Sequence, residues 1–172
     1  IVPIKEDDRD LFEQECFHMS HLWKVQPKFV GFKKEQPKKE LVYSGKGFDV
    51  YKRNSILHEN HLCSVGGILY PIDTHSVKGF KKVDGDFCVV FETPYGIGKG
   101  SVTLAVSREG LSYENETKPT IEAMYASFKE QMTKEVHDYY KGATNYRETL
   151  MRAIQLNMYN SNAFIFFYFF VI

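Results

Sequence analysis

The chain has 172 residues, with 22 acidic and 22 basic side chains and a formal net charge of zero. This length suits one globular domain with extensions, and balanced charge argues against generic nucleic-acid binding, which normally shows a basic surplus. The 14 Phe and 11 Tyr residues are enough to build a core. Three cysteines at long spacings do not describe a disulfide scaffold. A Cys16–Cys63 bridge stays open, and Cys88 is expected as a small buried residue of a strand.

Residues 1–43 are predicted to form an extended N-terminal arm with one short helix. The acidic run before Leu11 caps a helix over Leu11–Trp23. Pro27 and Pro37 then interrupt a polar, lysine-rich stretch, which is typical of an extended or mobile segment. Its two lysine pairs are interrupted by Glu35 and followed by Glu40, as in a solvated linker, and a lipid-headgroup or RNA contact is the less favoured alternative. We expect such an arm to be ordered by lying on another protein, to which it offers three aromatic anchors: Trp23, Phe29 and Phe32.

Residues 44–118 are predicted to form an α+β core domain. An intermittent apolar stripe predicts a helix over Gly45–Val65, with Gly66-Gly67 as its left-handed cap. Ile68–Ile72 reads as a short extended piece, because Pro71 does not continue a helix. Thr74–Val83 is a plausible first strand.

The centre of the core domain is the stretch Phe87–Arg108. Apolar and polar residues alternate on both sides of a glycine-rich turn, which predicts a long hairpin. We expect this hairpin to be central in a small, curved antiparallel sheet, with a Lys46–Cys63 helix across one face and a last short strand at Leu111–Glu114. The spacing of the three glycines in Gly96–Gly100 also fits a phosphate-binding loop. Such loops lead into a helix, whereas a strand pattern follows here, so the turn is interpreted as structural.

Residues 119–160 are predicted to form a helical pair. Apolar residues recur at three- and four-residue steps from Pro119 to Gly142, and a second helix follows over Asn145–Tyr159. Residues 161–172 form a hydrophobic tail, apolar throughout Ala163–Ile172. Ten residues are fewer than the roughly 20 that span a bilayer as a helix. Three alternatives stay open for the tail: a buried strand, a peripheral contact with the membrane surface, or a segment docked on a partner. We expect Phe166 and Phe167 to take part in a partner contact.

Two histidine–cysteine trios are the only metal-like patterns. Cys16, His18 and His21 form one, and His58, His61 and Cys63 form the other. A closed zinc site needs four ligands, and neither trio supplies the fourth, so surface or capping histidines are expected instead. No residues form a catalytic set, and we predict neither enzymatic activity nor a metal or cofactor. Asn115 begins a glycosylation sequon, which has meaning only in a secreted protein.

The predicted order of helix, Gly-Gly-x-x-x-Pro element, strand and glycine-rich hairpin resembles a known family. The residues that carry the resemblance are Val65–Pro71 and Phe91–Leu104, within about Phe48–Tyr113. They resemble the cytochrome c oxidase assembly factor 1 family and the related Tim twenty-one type presequence-translocase subunit. The resemblance implies a non-catalytic domain at the mitochondrial inner membrane. Charged, proline-rich sequence replaces the family's membrane span and the C-terminal helices are additional. Both departures favour a permanent accessory subunit.

The leading functional expectation is therefore a non-catalytic accessory or assembly subunit of a mitochondrial inner-membrane, respiratory-chain complex. It would act by protein–protein contacts with other subunits of that complex. The alternative expectation is a secreted or luminal α+β protein that binds a small ligand in a cavity between sheet and helices. Neither expectation includes a nucleic acid.

Overall fold

The computed structural model describes residues 4–80, 86–94, 100–107, 109–114 and 116–159, the last seven by their backbone alone. These described residues form three α-helices and seven strands. A short 3-10 turn at Glu6–Asp8 precedes the first helix. The helices are α1 (Arg9–Ser20), α2 (Thr117–Lys141) and α3 (Tyr146–Tyr159), and the strands are β1 (Leu41–Gly45), β2 (Phe48–Lys52), β3 (His61–Val65), β4 (Ile68–Pro71), β5 (Phe87–Thr93), β6 (Thr103–Leu104) and β7 (Leu111–Ser112).

Five strands form one sheet in the order β1-β2-β5-β3-β4, and β6 pairs with β7 in a separate two-stranded sheet. The α+β class predicted from the sequence is confirmed. The large sheet is open and mixed, because β5 runs antiparallel to β2 and parallel to β3. As the central strand, β5 is buried on both faces along most of its length. A strand covered on both sides needs apolar residues at every position, which is why its sequence begins Phe-Cys-Val-Val-Phe.

The predicted helix over Gly45–Val65 is wrong, since this segment forms β2 and β3. Phe48 and Val50 point to one face of the sheet and Tyr51 to the other, which is the two-residue period of a strand. The Gly66-Gly67 pair joins β3 to β4 with φ angles of 61° and 87°. A two-residue hairpin turn of the primed type needs positive φ at both central positions, which glycine adopts without strain.

The predicted hairpin over Phe87–Arg108 is also wrong as to its pairing. Its first arm is β5, but both edges of β5 are occupied by β2 and β3. The second arm contributes β6, which pairs with β7 instead. Residues 95–99, which were predicted to form the turn, lie outside the described residues. The strand predicted over Thr74–Val83 is not formed at residues 74–80, which make turns, and residues 81–83 are outside the described ranges.

The front face of the sheet, defined as the face covered by α2, holds the larger core. The ring of Phe128 is fully buried between Phe48 and Phe91, at centroid distances of 4.8 and 5.9 Å. Gln131 ties α2 to the β1–β2 turn by accepting from the backbone N–H of Lys46 and donating to its carbonyl. The helix across the sheet is therefore α2, in place of the predicted Lys46–Cys63 helix.

The back face of the sheet is covered in part by the N-terminal arm and the β2–β3 loop. A second buried cluster lies there, with Leu22 packed against it from the arm. Its buried members are Tyr51, Leu57, Leu62, Leu69, Cys88 and Val90. The rest of this face is more polar, and it is where the candidate site lies.

The arm folds back on itself within the described residues. The rings of Phe29 and Phe32 stack at 4.7 Å and both lie against Phe17 of α1, at 5.0 and 5.4 Å. Glu13 is 1% exposed and accepts hydrogen bonds from Arg9 and from the backbone N–H groups of Lys33 and Lys34. The arm therefore has a small core of its own, whereas the sequence suggested that a partner supplies the order.

The predicted C-terminal helical pair is confirmed. Arg152 of α3 donates to the carbonyl of Gly142 at 2.8 Å, and its guanidinium lies 5.6 Å from the ring centroid of Tyr139 at the end of α2. Residues 160–172, including the predicted contacts Phe166 and Phe167, lie outside the described residues.

In the described part of the chain, no helix is both long enough and apolar enough to cross a membrane.

Candidate functional site

A groove of about 420 Å³ lies on the back face of the sheet, between the end of the arm and the strands; it is called the arm groove here. One wall is Leu22–Lys24 of the arm, and the glycine turn between β3 and β4 borders one end. Its floor comes from β2, β5 and β3, including Asp49, Glu92 and Ser64. This volume is in the range that protein ligand sites occupy.

The strand register brings the two carboxylates to this groove. Asp49 is the residue of β2 between two front-face core residues, so it points to the back face. On β5, which pairs with β2, Val90 points to the back face and Glu92 follows two residues later on the same side. Asp49 and Glu92 therefore line one groove although they are 43 positions apart, because the sheet places their strands side by side.

Trp23 forms the aromatic wall of the groove. Its side chain lies against the β3–β4 turn so closely that a methyl group added at Gly67 would be 3.2 Å from its Cδ1 atom. The carbonyl of Trp23 accepts a hydrogen bond from Gln26 at 2.7 Å, which holds the chain after the helix. The Trp23 side chain is 39% exposed, so one part of the ring is docked and another faces the groove and solvent.

His21 anchors this wall to the β2–β3 loop. It is 1% exposed, and its Nε2 atom lies 3.2 Å from the side-chain nitrogen of Asn54. The Asn54 oxygen already accepts from the backbone N–H groups of Ile56 and Leu57, so the amide NH₂ faces the imidazole. His21 must then accept through Nε2, which requires the neutral ring. Burial, with the nearby charges of Lys39 and His18, lowers the pKa of His21 to about 4 and keeps it neutral.

The groove is electrostatically negative. Asp49 accepts hydrogen bonds from the hydroxyls of Ser44 at 2.6 Å and Tyr51 at 3.1 Å, both of which are neutral donors. Within the described part of the chain, neither Asp49 nor Glu92 forms an ion pair. Burial raises the pKa of the Tyr51 hydroxyl, and both carboxylates raise it further. Two carboxylates thus act on this groove, against one positive charge from Lys24 among its described lining residues.

A second depression, of about 480 Å³, lies on the other side of Glu92 along the first turns of α2. Its lining includes Lys46, Glu116 and Met124. Among its described lining residues none is aromatic, so it lacks the flat apolar wall that Trp23 gives to the arm groove. We therefore take the arm groove as the candidate site.

The predicted partner residues of the arm lie in different places. Trp23 lines the arm groove. Phe29 and Phe32 are half-buried in the aromatic cluster of the arm, away from the groove lining. Asp49 and Glu92 were missed as site residues. Asp49 had been placed in a helix, although the alternation in Phe48–Lys52 carried the strand signal that would have put it opposite the core.

The two histidine–cysteine trios do not assemble. His61 and Cys63 are buried on the front face, while His58 is exposed on the preceding loop. The expectation of surface or capping histidines is wrong for His61, which is 2% exposed and lies in β3. His21 is also buried, at 1% exposed, but it occupies the C-cap position of α1, as that expectation allows. Among the described residues, no three His, Cys, Asp or Glu side chains are grouped so that they would hold a metal ion.

The cysteines are free thiols, so the Cys16–Cys63 bridge that the sequence left open is not formed. Burial raises the pKa of the Cys63 thiol to about 11, and its sulfur lies 3.3 Å from the hydroxyl of Thr93. Aromatic rings fill the front-face core between the sheet and α2, and the depression of about 480 Å³ described above lies beside that core, along the first turns of α2. Asn115 lies outside the described residues.

Comparisons with family models, with curated proteins and with solved structures find no match for this chain.

Proposed function

We propose that this chain is a non-catalytic interaction domain that binds a segment of a partner protein in the arm groove. The observation that supports this most is the makeup of the groove: a part-exposed tryptophan and two carboxylates outside any ion pair in the described residues line one cavity. Tryptophan is among the residues most enriched in the energetically important centres of protein interfaces. The wall that carries it is held by a folded arm, so the surface is already formed before a partner arrives.

A photo-reactive amino acid at a groove position tests this proposal directly. Lys24 lines the groove and is exposed, so a benzoylphenylalanine placed there should leave the fold intact. In the cells that normally make the protein, we expect one partner protein to be cross-linked at position 24. The same probe at Glu130, exposed on α2, is the control and should not capture that partner. Capture at position 130 but not at position 24 would contradict the proposal.

We further propose that this partner belongs to a mitochondrial inner-membrane complex, to which the chain attaches as an accessory or assembly subunit. The support is the sequence resemblance in Val65–Pro71 and Phe91–Leu104 alone. This support comes from the glycine and proline positions in the sequence. The helix and the hairpin that were predicted with them do not form as expected. Blue-native electrophoresis of mitochondria is the test. Co-migration with a respiratory-chain complex supports the proposal, and migration only as the free chain contradicts it.

A further inference from the structure

We propose that the arm groove recognises a basic side chain, of the arginine type, on the partner protein. This inference rests on the proposed function, since it names the chemistry that the partner presents at the same site. It draws on three features of the groove: its net charge, the position of its tryptophan and the state of its carboxylates.

The charge of the groove favours a cation. Asp49 and Glu92 line it together with a single basic residue, Lys24. The two oxygens of Asp49 each receive one neutral hydroxyl donor, so each keeps room for one further donor. A guanidinium group presents several N–H donors in one plane and pairs well with carboxylates.

The tryptophan favours the same ligand. Trp23 provides a flat ring beside these carboxylates, held in place by its contact with the β3–β4 turn. Cations bind the face of an indole ring more strongly than that of any other aromatic side chain, and arginine does so more often than lysine. The turn of Gly66-Gly67 has no side chain that would close the end of the groove. An arginine that enters there can stack on Trp23 and reach a carboxylate at once.

An acidic or purely apolar segment fits less well. An acidic side chain would be repelled by both carboxylates. An apolar segment would bury Asp49 and Glu92 without giving them an oppositely charged partner, which is costly for charged groups.

The experiment titrates the full chain with acetyl-Gly-Arg-Gly-amide and follows the ¹H–¹⁵N spectrum, in which the single tryptophan gives one indole signal. The matched probe is the same peptide with citrulline, which has the shape of arginine without its charge. We expect the arginine peptide to shift the Trp23 indole signal and the amide signals of Glu92 and Gly67. The citrulline peptide should bind at least about fivefold more weakly, and added salt should weaken the arginine peptide alone.

Variants assign the contacts. Glu92→Gln should weaken binding of the arginine peptide about fivefold, and Trp23→Leu about tenfold. Glu130→Gln removes the same charge from an exposed position on α2 and should change nothing. Equal binding of the citrulline peptide, or unchanged affinity in Glu92→Gln, would overturn the inference.

The outcomes separate the two proposals. If the cross-linker at position 24 captures a partner but the arginine peptide does not bind, the groove is an interface of different chemistry and only this inference fails. If the arginine peptide binds in the groove but no partner is captured, the chemistry of the site stands and the proposed function fails.

Discussion

Glu13 and His61 are both buried ionisable side chains, but their surroundings select opposite charge states. Glu13 receives backbone hydrogen bonds from Lys33 and Lys34 and an ion pair from Arg9. Burial opposes its ionisation, but these donors outweigh that effect and lower the pKa of its carboxyl group. His61 has no hydrogen-bond partner among the described residues and is surrounded by the rings of Phe80, Phe91 and Tyr125. Such surroundings favour the neutral imidazole.

The buried His61 predicts a loss of stability in acid. Burial lowers its folded-state pKa from 6.5 to about 4. Below pH 6.5 the unfolded chain binds a proton that the folded chain excludes, so stability falls between pH 6.5 and pH 4 and levels off below that range. His61 alone should account for about 2–3 kcal/mol between pH 7 and pH 4.5.

The variant His61→Phe tests this, because phenylalanine suits the aromatic surroundings and does not titrate. Urea unfolding at pH 7 and pH 4.5 should show a smaller acid-induced loss in His61→Phe than in the wild-type chain. The exposed His137 serves as a control, and His137→Gln should behave as the wild type. An equal acid-induced loss in His61→Phe and the wild type would show that His61 titrates freely.

At the scale of elements, the helices were predictable and most strand pairings were not. The α2 stripe from Ile121 to Met132 recurs at helical steps, and these residues are the ones buried against the sheet. For β2 and β3, the sequence holds two five-residue strands whose apolar residues also fit a loose helical stripe. The Gly-Gly pair did not decide between strands and helix, because two glycines between short apolar runs fit a hairpin turn as well as a helix cap.

The turn between β3 and β4 predicts different behaviour for its two glycines. Both have positive φ, so Gly66→Ala and Gly67→Ala should each lower stability by about 1–2 kcal/mol. A methyl group at position 66 meets open space, whereas one at position 67 lies 3.2 Å from Trp23 Cδ1. Only Gly67→Ala should therefore displace the ring and shift the tryptophan emission spectrum.

Fluorescence of the two variants measures this, since Trp23 is the single tryptophan of the chain. Gly66→Ala is the matched control for backbone strain. An unchanged emission spectrum in Gly67→Ala, or equal shifts in both variants, would mean that Trp23 does not contact the turn.

At the scale of the whole molecule, local sequence patterns do not predict which segments distant in sequence pack together. The α+β class and the C-terminal helical pair follow from periodicity. The parallel pairing of β3 with β5 does not, because it joins strands separated by β4 and a long connection. The arm is a similar case: its composition is polar, but Glu13 and three phenylalanines give it a core that becomes visible only when the chain folds back.

The candidate site shares this limit. The sequence alone predicts Trp23 as an aromatic anchor. Asp49 and Glu92 can be recognised as site residues only when the pairing of β2 with β5 is known. A site built from three distant segments is specified by the fold, so a pattern within any one segment does not reveal it.

Everything proposed for the arm groove depends on Trp23 lying against the β3–β4 turn in the free chain. The most direct measurement is a nuclear Overhauser spectrum of the full chain without any partner. The indole N–H of the single tryptophan should show cross-peaks to the α-protons of Gly67, because the indole nitrogen lies 3.6 Å from a methyl position on that residue. An indole signal at its unfolded position, with no cross-peak to Gly67, would mean that the arm is undocked and the groove is not formed.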